Sequence, residues 1–211
     1  MVDRESPMTE LTLVGRSSSH FSRTARMFAL ELGVPHAFRP VLDLTSLDRA
    51  AYADNPALKV PILVDESGPL FGTENICREL VRRSGKAASV VLRGDVRDRV
   101  VANAEELTLH VMSSEVTLIM AKIAGAALPQ KVAASIENSL DFLDAHVDAV
   151  LAALPAGRLV SFVEVTLFCL VTHLPWREVM DVSRWARLGD FSRRSGQRDS
   201  ARSTEYRFDA P

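Results

Sequence analysis

Cysteine is scarce: the 211 residues hold two, Cys77 and Cys169. Each lies inside an apolar helical pattern, and two isolated cysteines make neither a disulfide framework nor a metal-ligand spacing. They read as buried free thiols of a reducing compartment. An excess of one sign of charge is missing as well. Lys and Arg number 25 against 27 Asp and Glu, a formal net charge of −2. A nucleic-acid binder would carry a basic excess, so that class is set aside. No long apolar run is present. Residues 1–10 are polar and acidic and lack the apolar region of a secretory leader. The stretch from Phe162 to Leu174 is broken by Glu164, Thr166, Thr172 and His173, too short and too polar to cross a bilayer. No repeat or low-complexity segment occurs. These absences point to a cytoplasmic chain with no membrane partner, and its length permits one large domain or two small ones.

What is present changes character along the chain. Leu11 to Val14 reads as a strand. The apolar spacing from Phe21 to Leu32 predicts a helix that stops at Gly33, before Pro35. His36 to Leu42 reads as a second strand, and Pro40 places it at a sheet edge. Residues 43–58 read as a short, loosely formed helix between loops. Val60 to Val64 and Pro69 to Phe71 flank a turn at Asp65–Gly68 and read as a hairpin. A helix from Thr73 to Arg83 closes the unit at Ser84–Gly85, giving an α/β domain over residues 10–85. Lys86 to Gly94 reads as a linker.

Residues 95–211 read as all-α. Apolar residues at helical spacing predict helices over 97–124 and 129–154. Ser161 and Glu164 form a capping-box pattern before a helix that is apolar on most faces and therefore central. Pro175 stops it, and a last helix runs from Val182 to Arg194.

Three hydroxyls and an imidazole crowd the first strand–helix turn, Ser17-Ser18-Ser19-His20. Serines there commonly cap the helix; one of them is also placed to act on a ligand. Val60-Pro61 opens a strand with a residue that cannot donate a ladder bond, as at an edge or in a cis bond. A cis bond there leaves the backbone of Val60 able to pair with a peptide as an added strand.

The order of these motifs resembles the glutathione S-transferase family. Asn55-Pro56-Ala57-Leu58-Lys59-Val60-Pro61-Ile62-Leu63 is similar to the family's N-P-x-x-K-V-P-x-L. Phe71-Gly72-Thr73-Glu74-Asn75-Ile76 is similar to its L-x-E-S-x-x-I segment. Ser161 to Glu164 resembles its S/T-x-x-D helix start, and Arg198 to Thr204 its R-P-S-x-x-x-T ending. Ser19-His20-Phe21, with Arg26 beyond, resembles the S/C-P-F turn of a serine-type, tau-, omega- or zeta-like bacterial member. The resemblance implies a thioredoxin-like N-terminal domain that binds glutathione, followed by a transferase-type helical domain lining the second-substrate site. It implies a cytoplasmic, homodimeric detoxification enzyme conjugating glutathione to small apolar electrophiles.

On that alignment Ser19 is the catalytic residue, with Ser17 and Ser18 as alternatives. Lys59, Val60, Pro61 and Thr73 bind glutathione. Phe21, His110 and Met112 are second-substrate candidates, with Glu115 and Arg16 nearby, and no metal is implied. Two departures stand out. Gly72 replaces the Glu or Gln that receives the γ-glutamyl amino group, and Glu74, past Thr73 on the helix, points elsewhere. His20 replaces proline and either lines the site or faces water. The alternative function is therefore a non-catalytic protein that keeps the fold. A lyase or isomerase using glutathione as cofactor is a third reading.

Overall fold

A computed structural model describes residues 11–127 and 129–210. The reading of residues 1–10 as leaderless, and the outer ends of the two expected domains at 10 and 211, lie outside the described residues. The first domain contains β1 (Thr12–Gly15), α1 (His20–Leu32), β2 (Ala37–Pro40), β3 (Ile62–Asp65), β4 (Gly68–Phe71) and α2 (Thr73–Ser84). Its sheet runs in the order β2-β1-β3-β4. β1 pairs parallel with β2 and antiparallel with β3, and β3–β4 is the expected antiparallel hairpin. β2 lies at the edge, where the missing N–H of Pro40 is harmless.

Successive residues of a strand face opposite sides of the sheet. Leu13 and Leu63 accordingly join the main core with Phe28, Ile76 and Leu80, while Val14 and Ile62 pack with Val41 and Tyr52 on the other side. Gly33 takes a left-handed conformation (φ 69°) that ends α1, and the Lys86 ammonium donates to the Leu32 carbonyl there at 2.9 Å.

Three expectations about this region are corrected. The strand expected over 36–42 is shorter. The helix expected in 43–58 is a single 3₁₀ turn, Arg49–Tyr52. The side chains of Asp43, Ser46, Asp48 and Asn55 each accept the backbone N–H two residues on, and such local bonds compete with helix formation. Ala53, Asp54 and Leu58 also take positive φ. The stretch read as a linker carries a 3₁₀ turn, Ala87–Ser89, and β5 (Val90–Val91), which pairs in parallel with β6 (Val160–Ser161). The second domain is thus not purely helical.

That domain contains α3 (Arg99–Ile123), α4 (Gln130–Ala153), α5 (Phe162–Trp176), α6 (Ala186–Ser195) and α7 (Asp199–Arg202). α5 is buried on nearly every face, as its composition predicts. Its N-terminus is closed by Ser161, whose Oγ accepts from the Glu164 N–H at 3.2 Å and donates to the Glu164 carboxylate at 2.6 Å. Pro175 lies inside the last turn, so the helix ends one residue past it, at Trp176, rather than before it. α6 starts later than expected because Asp181 folds back onto the Ser183 N–H. The sequence reading contains no counterpart of α7.

The domains meet along α1, which packs on α5 and α7. Arg23, 5% exposed, is the joint. It donates to Thr172 Oγ1 and the Ala201 carbonyl at 3.0 Å each, and to Thr204 Oγ1 at 3.3 Å. Its guanidinium also lies over the rings of Phe168 and Tyr206.

Candidate functional site

Strand register decides what lies together. Val14 pairs with Ile62, and Ile62 with Phe71. The turn after β1 (16–19), the Val60-Pro61 bond before β3 and the Gly72-Thr73 step after β4 therefore share one end of the sheet. Both α1 and α2 begin there. Two helix N-termini, with their unpaired N–H groups and partial positive charge, form an end suited to anionic groups.

The turn is tightly specified. At Gly15 an added Cβ would stand 2.7 Å from Ser22 Oγ. Ser22 Oγ accepts from the Arg16 N–H at 3.2 Å. Arg16 is tied to the carbonyls of Val41 (3.0 Å) and Leu42 and to Ser18 Oγ (3.1 Å). The Ser17 side chain is buried, its hydroxyl without a partner among the described residues, and its N–H donates to the Asp209 carboxylate at 2.7 Å. Ser19 is the N-cap of α1 and half-buried, its Oγ accepting from the Ser22 N–H at 3.2 Å. A capping hydroxyl uses its oxygen as acceptor and keeps its own proton to donate. Capping and ligand activation are thus compatible at Ser19.

At the neighbouring strand ends the Val60-Pro61 bond is cis. Lys59 is exposed, and its carbonyl accepts from Asn55 Nδ2 at 2.8 Å. Thr73 is the first residue of α2, half-buried. Gly72 precedes it at φ 88°, a backbone conformation glycine takes without strain. The Glu74 carboxylate is engaged by Arg78 (2.8 Å) and Arg93 (3.7 Å), so it does point elsewhere.

His20 neither faces water nor lines an open site. It is 1% exposed and meets the helical domain, its Nε2 lying 3.0 Å from the Met112 carbonyl. Burial and the neighbouring His173 push its pKa well down. Phe21 and Met112 come to the turn through it: the Phe21 ring centroid is 4.6 Å away, and Met112 is fully buried. His110 is not brought there. It is exposed, with Nε2 3.2 Å from Ser135 Oγ on α4.

Among the described residues one set of metal-ligating side chains converges, His20, Glu115 and His173, all buried, with their ligand atoms within 4.8 Å of one another. His173 Nδ1 and Glu115 Oε1 lie 2.7 Å apart, a hydrogen bond. His173 Nε2 is 2.9 Å from the Ser18 carbonyl. Burial pushes the Glu115 carboxyl up, and the bond to His173 pulls it back in part. No motif in the sequence marks His173, Asp209 or Arg23 as functional. The one signal for His173 was a polar residue in an otherwise apolar helix.

Residues 13–88 match a family model described as "Glutathione S-transferase, N-terminal domain". No curated protein matches the sequence significantly. Solved structures match over almost the whole chain. A glutathione S-transferase from Methylobacillus flagellatus KT, with glutathione bound, is 19% identical (TM-score 0.78; 94% of this chain, 100% of that one). A glutathione transferase family member from Pseudomonas fluorescens Pf-5, with bound glutathione, is 22% identical (TM-score 0.76; 94% and 100%). A glutathione transferase homologue from a Drosophila species, also with bound glutathione, is 20% identical (TM-score 0.71; 93% and 95%). Similarity at this level establishes the fold.

Proposed function

We propose that this chain, whose N-terminal domain belongs to the glutathione S-transferase N-terminal-domain family and whose two domains carry the transferase fold, binds glutathione and activates its thiol. The observation that carries the reading is the convergence of two helix N-termini and the Ser19 hydroxyl at one end of the sheet. Glutathione bound in the related structures supports the choice of ligand.

In this reading Val60 pairs its backbone with the tripeptide as an added strand, beside the cis Pro61. Thr73, at the start of α2, holds the γ-glutamyl carboxylate with its hydroxyl and N–H. Lys59, exposed nearby, neutralises the glycyl carboxylate. Ser19 donates its proton to the sulfur, and the α1 N-terminus adds positive potential. Both favour the thiolate, which is the nucleophile. A hydrogen bond to a charged acceptor contributes roughly 1.5–3 kcal/mol, enough to lower a thiol pKa by about one to two units. The electrophile is a small apolar molecule held between the domains beside α3, near the half-buried Phe21; Met112, fully buried, lies beneath that position. The protein acts as a cytoplasmic homodimer in detoxification.

Gly72 favours a second reading, a transferase fold that binds without catalysing. Exposed and without a side chain, it leaves the γ-glutamyl amino group without the carboxylate or amide that the family places there. Conjugation of glutathione to an aryl halide, in wild type and Ser19→Ala, separates the two. The transferase reading expects kcat/KM to fall by roughly 10- to 100-fold in the variant. Turnover equal in both proteins removes Ser19 from the chemistry. Glutathione binding with no turnover on any electrophile supports the second reading.

A further inference from the structure

The polar cluster beneath the serine turn, His20 on α1, Glu115 on α3 and His173 on α5, has no part in the function so far. Its proton inventory follows from the partners. The Ser18 carbonyl can only accept, so His173 Nε2 must carry a hydrogen. On the other side of the ring, one proton lies between Nδ1 and Glu115 Oε1. Whichever of those two atoms holds it, Nε2 remains a donor. The Met112 carbonyl likewise requires a hydrogen on His20 Nε2. With His20 kept neutral by burial, its Nδ1 is a bare lone pair, and it has no partner among the described residues.

His173 has little freedom to turn. It is 2% exposed, its ring 4.3 Å from that of His20 and edge-on to Tyr206 at 4.8 Å. Glu115, fully buried on α3, fixes the ring's rotation from behind. The donor is therefore aimed at one backbone atom, the carbonyl one residue before Ser19. That carbonyl belongs to the peptide unit whose N–H is that of Ser19, which in turn donates to the Arg16 carbonyl at 3.0 Å. Fixing this peptide plane fixes where the Ser19 hydroxyl points.

We infer that His173, oriented by Glu115, is a positioning residue that holds the Ser18–Ser19 peptide plane from the helical domain and thereby aims the Ser19 hydroxyl at the thiol. The inference rests on the glutathione reading for its functional half. The structural half stands on the geometry alone. The bond crosses from the central helix of one domain to the site turn of the other, so the helical domain shapes the thiol site as well as the electrophile cleft. A mis-set hydroxyl is costly, because displacements of about 1 Å can lower a rate roughly 100-fold.

The test uses wild type, His173→Phe and His173→Gln. Glutamine places an N–H near the position of Nε2 and cannot share a proton as an imidazole does; phenylalanine has no donor. The first readout needs no glutathione. In ring-¹⁵N-labelled wild type, His173 Nε2 should carry a slowly exchanging hydrogen and His20 Nδ1 should be bare. The Ser19 backbone amide resonance should move in His173→Phe and return towards its wild-type position in His173→Gln. A bare His173 Nε2, or a Ser19 amide that ignores His173→Phe, overturns the inference whatever glutathione does.

The second readout is the thiolate absorbance of bound glutathione against pH. We expect His173→Phe to raise the bound thiol's pKa by about one unit while glutathione affinity stays within about threefold, with His173→Gln close to wild type. An unchanged thiol pKa in a phenylalanine variant that binds glutathione also overturns it. A wild type that shows the amide signature but binds no glutathione defeats the glutathione reading and the functional half with it, leaving the structural half established. If the phenylalanine variant does not fold, the wild-type ring spectrum and the glutamine variant still decide.

Discussion

Replacing Arg23 with methionine tests how the two domains are joined. The side chain is similar in length and apolar, so it fills the space without the charge. Two of the three acceptors keep other bonds: Thr172 Oγ1 still donates to the Phe168 carbonyl and Thr204 Oγ1 to the Ser200 carbonyl. The Ala201 carbonyl keeps a contact from the Ser203 N–H, shared with the Asp199 carbonyl, and long ones from Thr204, at 3.4 and 3.5 Å. Under-satisfying a buried carbonyl costs about 1–3 kcal/mol. The lost faces of Phe168 and Tyr206, 4.8 and 4.3 Å from the guanidinium carbon, add about 1–2 kcal/mol. Relief from burying an uncompensated cation offsets part of this. The net loss should be about 2 kcal/mol. With a urea slope of roughly 2–3 kcal/mol/M, the unfolding midpoint should fall by about 0.7–1 M. Arg23→Lys should recover little, because an ammonium cannot reproduce the planar fork. Urea unfolding followed by tryptophan fluorescence reads the change. An unchanged or raised midpoint for Arg23→Met would refute the idea that this arginine fastens α1 to α5 and α7.

Other expectations concern local packing and acid stability. Gly15→Ala should cost about 1–3 kcal/mol, because the new methyl meets Ser22 Oγ and Phe38; adding Ser22→Ala should recover part of it in a double-mutant cycle read by urea unfolding. Ser161→Ala should cost about 1–2 kcal/mol through loss of the α5 cap, read the same way. Burial pushes the Glu164 carboxyl up, but bonds from Arg158 and Ser161 outweigh it and hold the group below its ordinary value of 4.5. A depressed folded-state pKa gives stability that is present above about pH 4.5 and is lost as pH falls through the folded value. Glu164→Gln should therefore flatten the stability profile between about pH 5 and about pH 3, measured as midpoint against pH.

Elements with a strong period or clear punctuation were legible in the sequence. α1 shows its apolar spacing and Gly33 stop, α5 its Ser161–Glu164 start, and β3–β4 its turn. The motif order carried the reading from these elements to the fold. The misses share a cause: they depend on side chains bonding to backbone or across long distances. Asp43, Asp48 and Asn55 turned a nominal helix into turns by capturing nearby N–H groups. β5 and β6 are two residues each and exist only because 70 residues of chain return to pair them. At this end of the sheet the helix starts at Ser19 and Thr73 were legible because they lie in motifs. His20 reads from the sequence as either lining the site or facing water, because nothing local says that Met112 and His173 close over it. Asp209 reaches Ser17 from 192 residues away, a contact no local pattern announces.

Calorimetric titration with glutathione, of wild type beside Thr73→Ala, asks whether the paired helix N-termini hold the tripeptide. We predict binding with a Kd between about 1 µM and about 1 mM for wild type, weakened roughly tenfold or more in Thr73→Ala. No heat of binding at millimolar glutathione would contradict the assignment and leave a transferase fold put to another use.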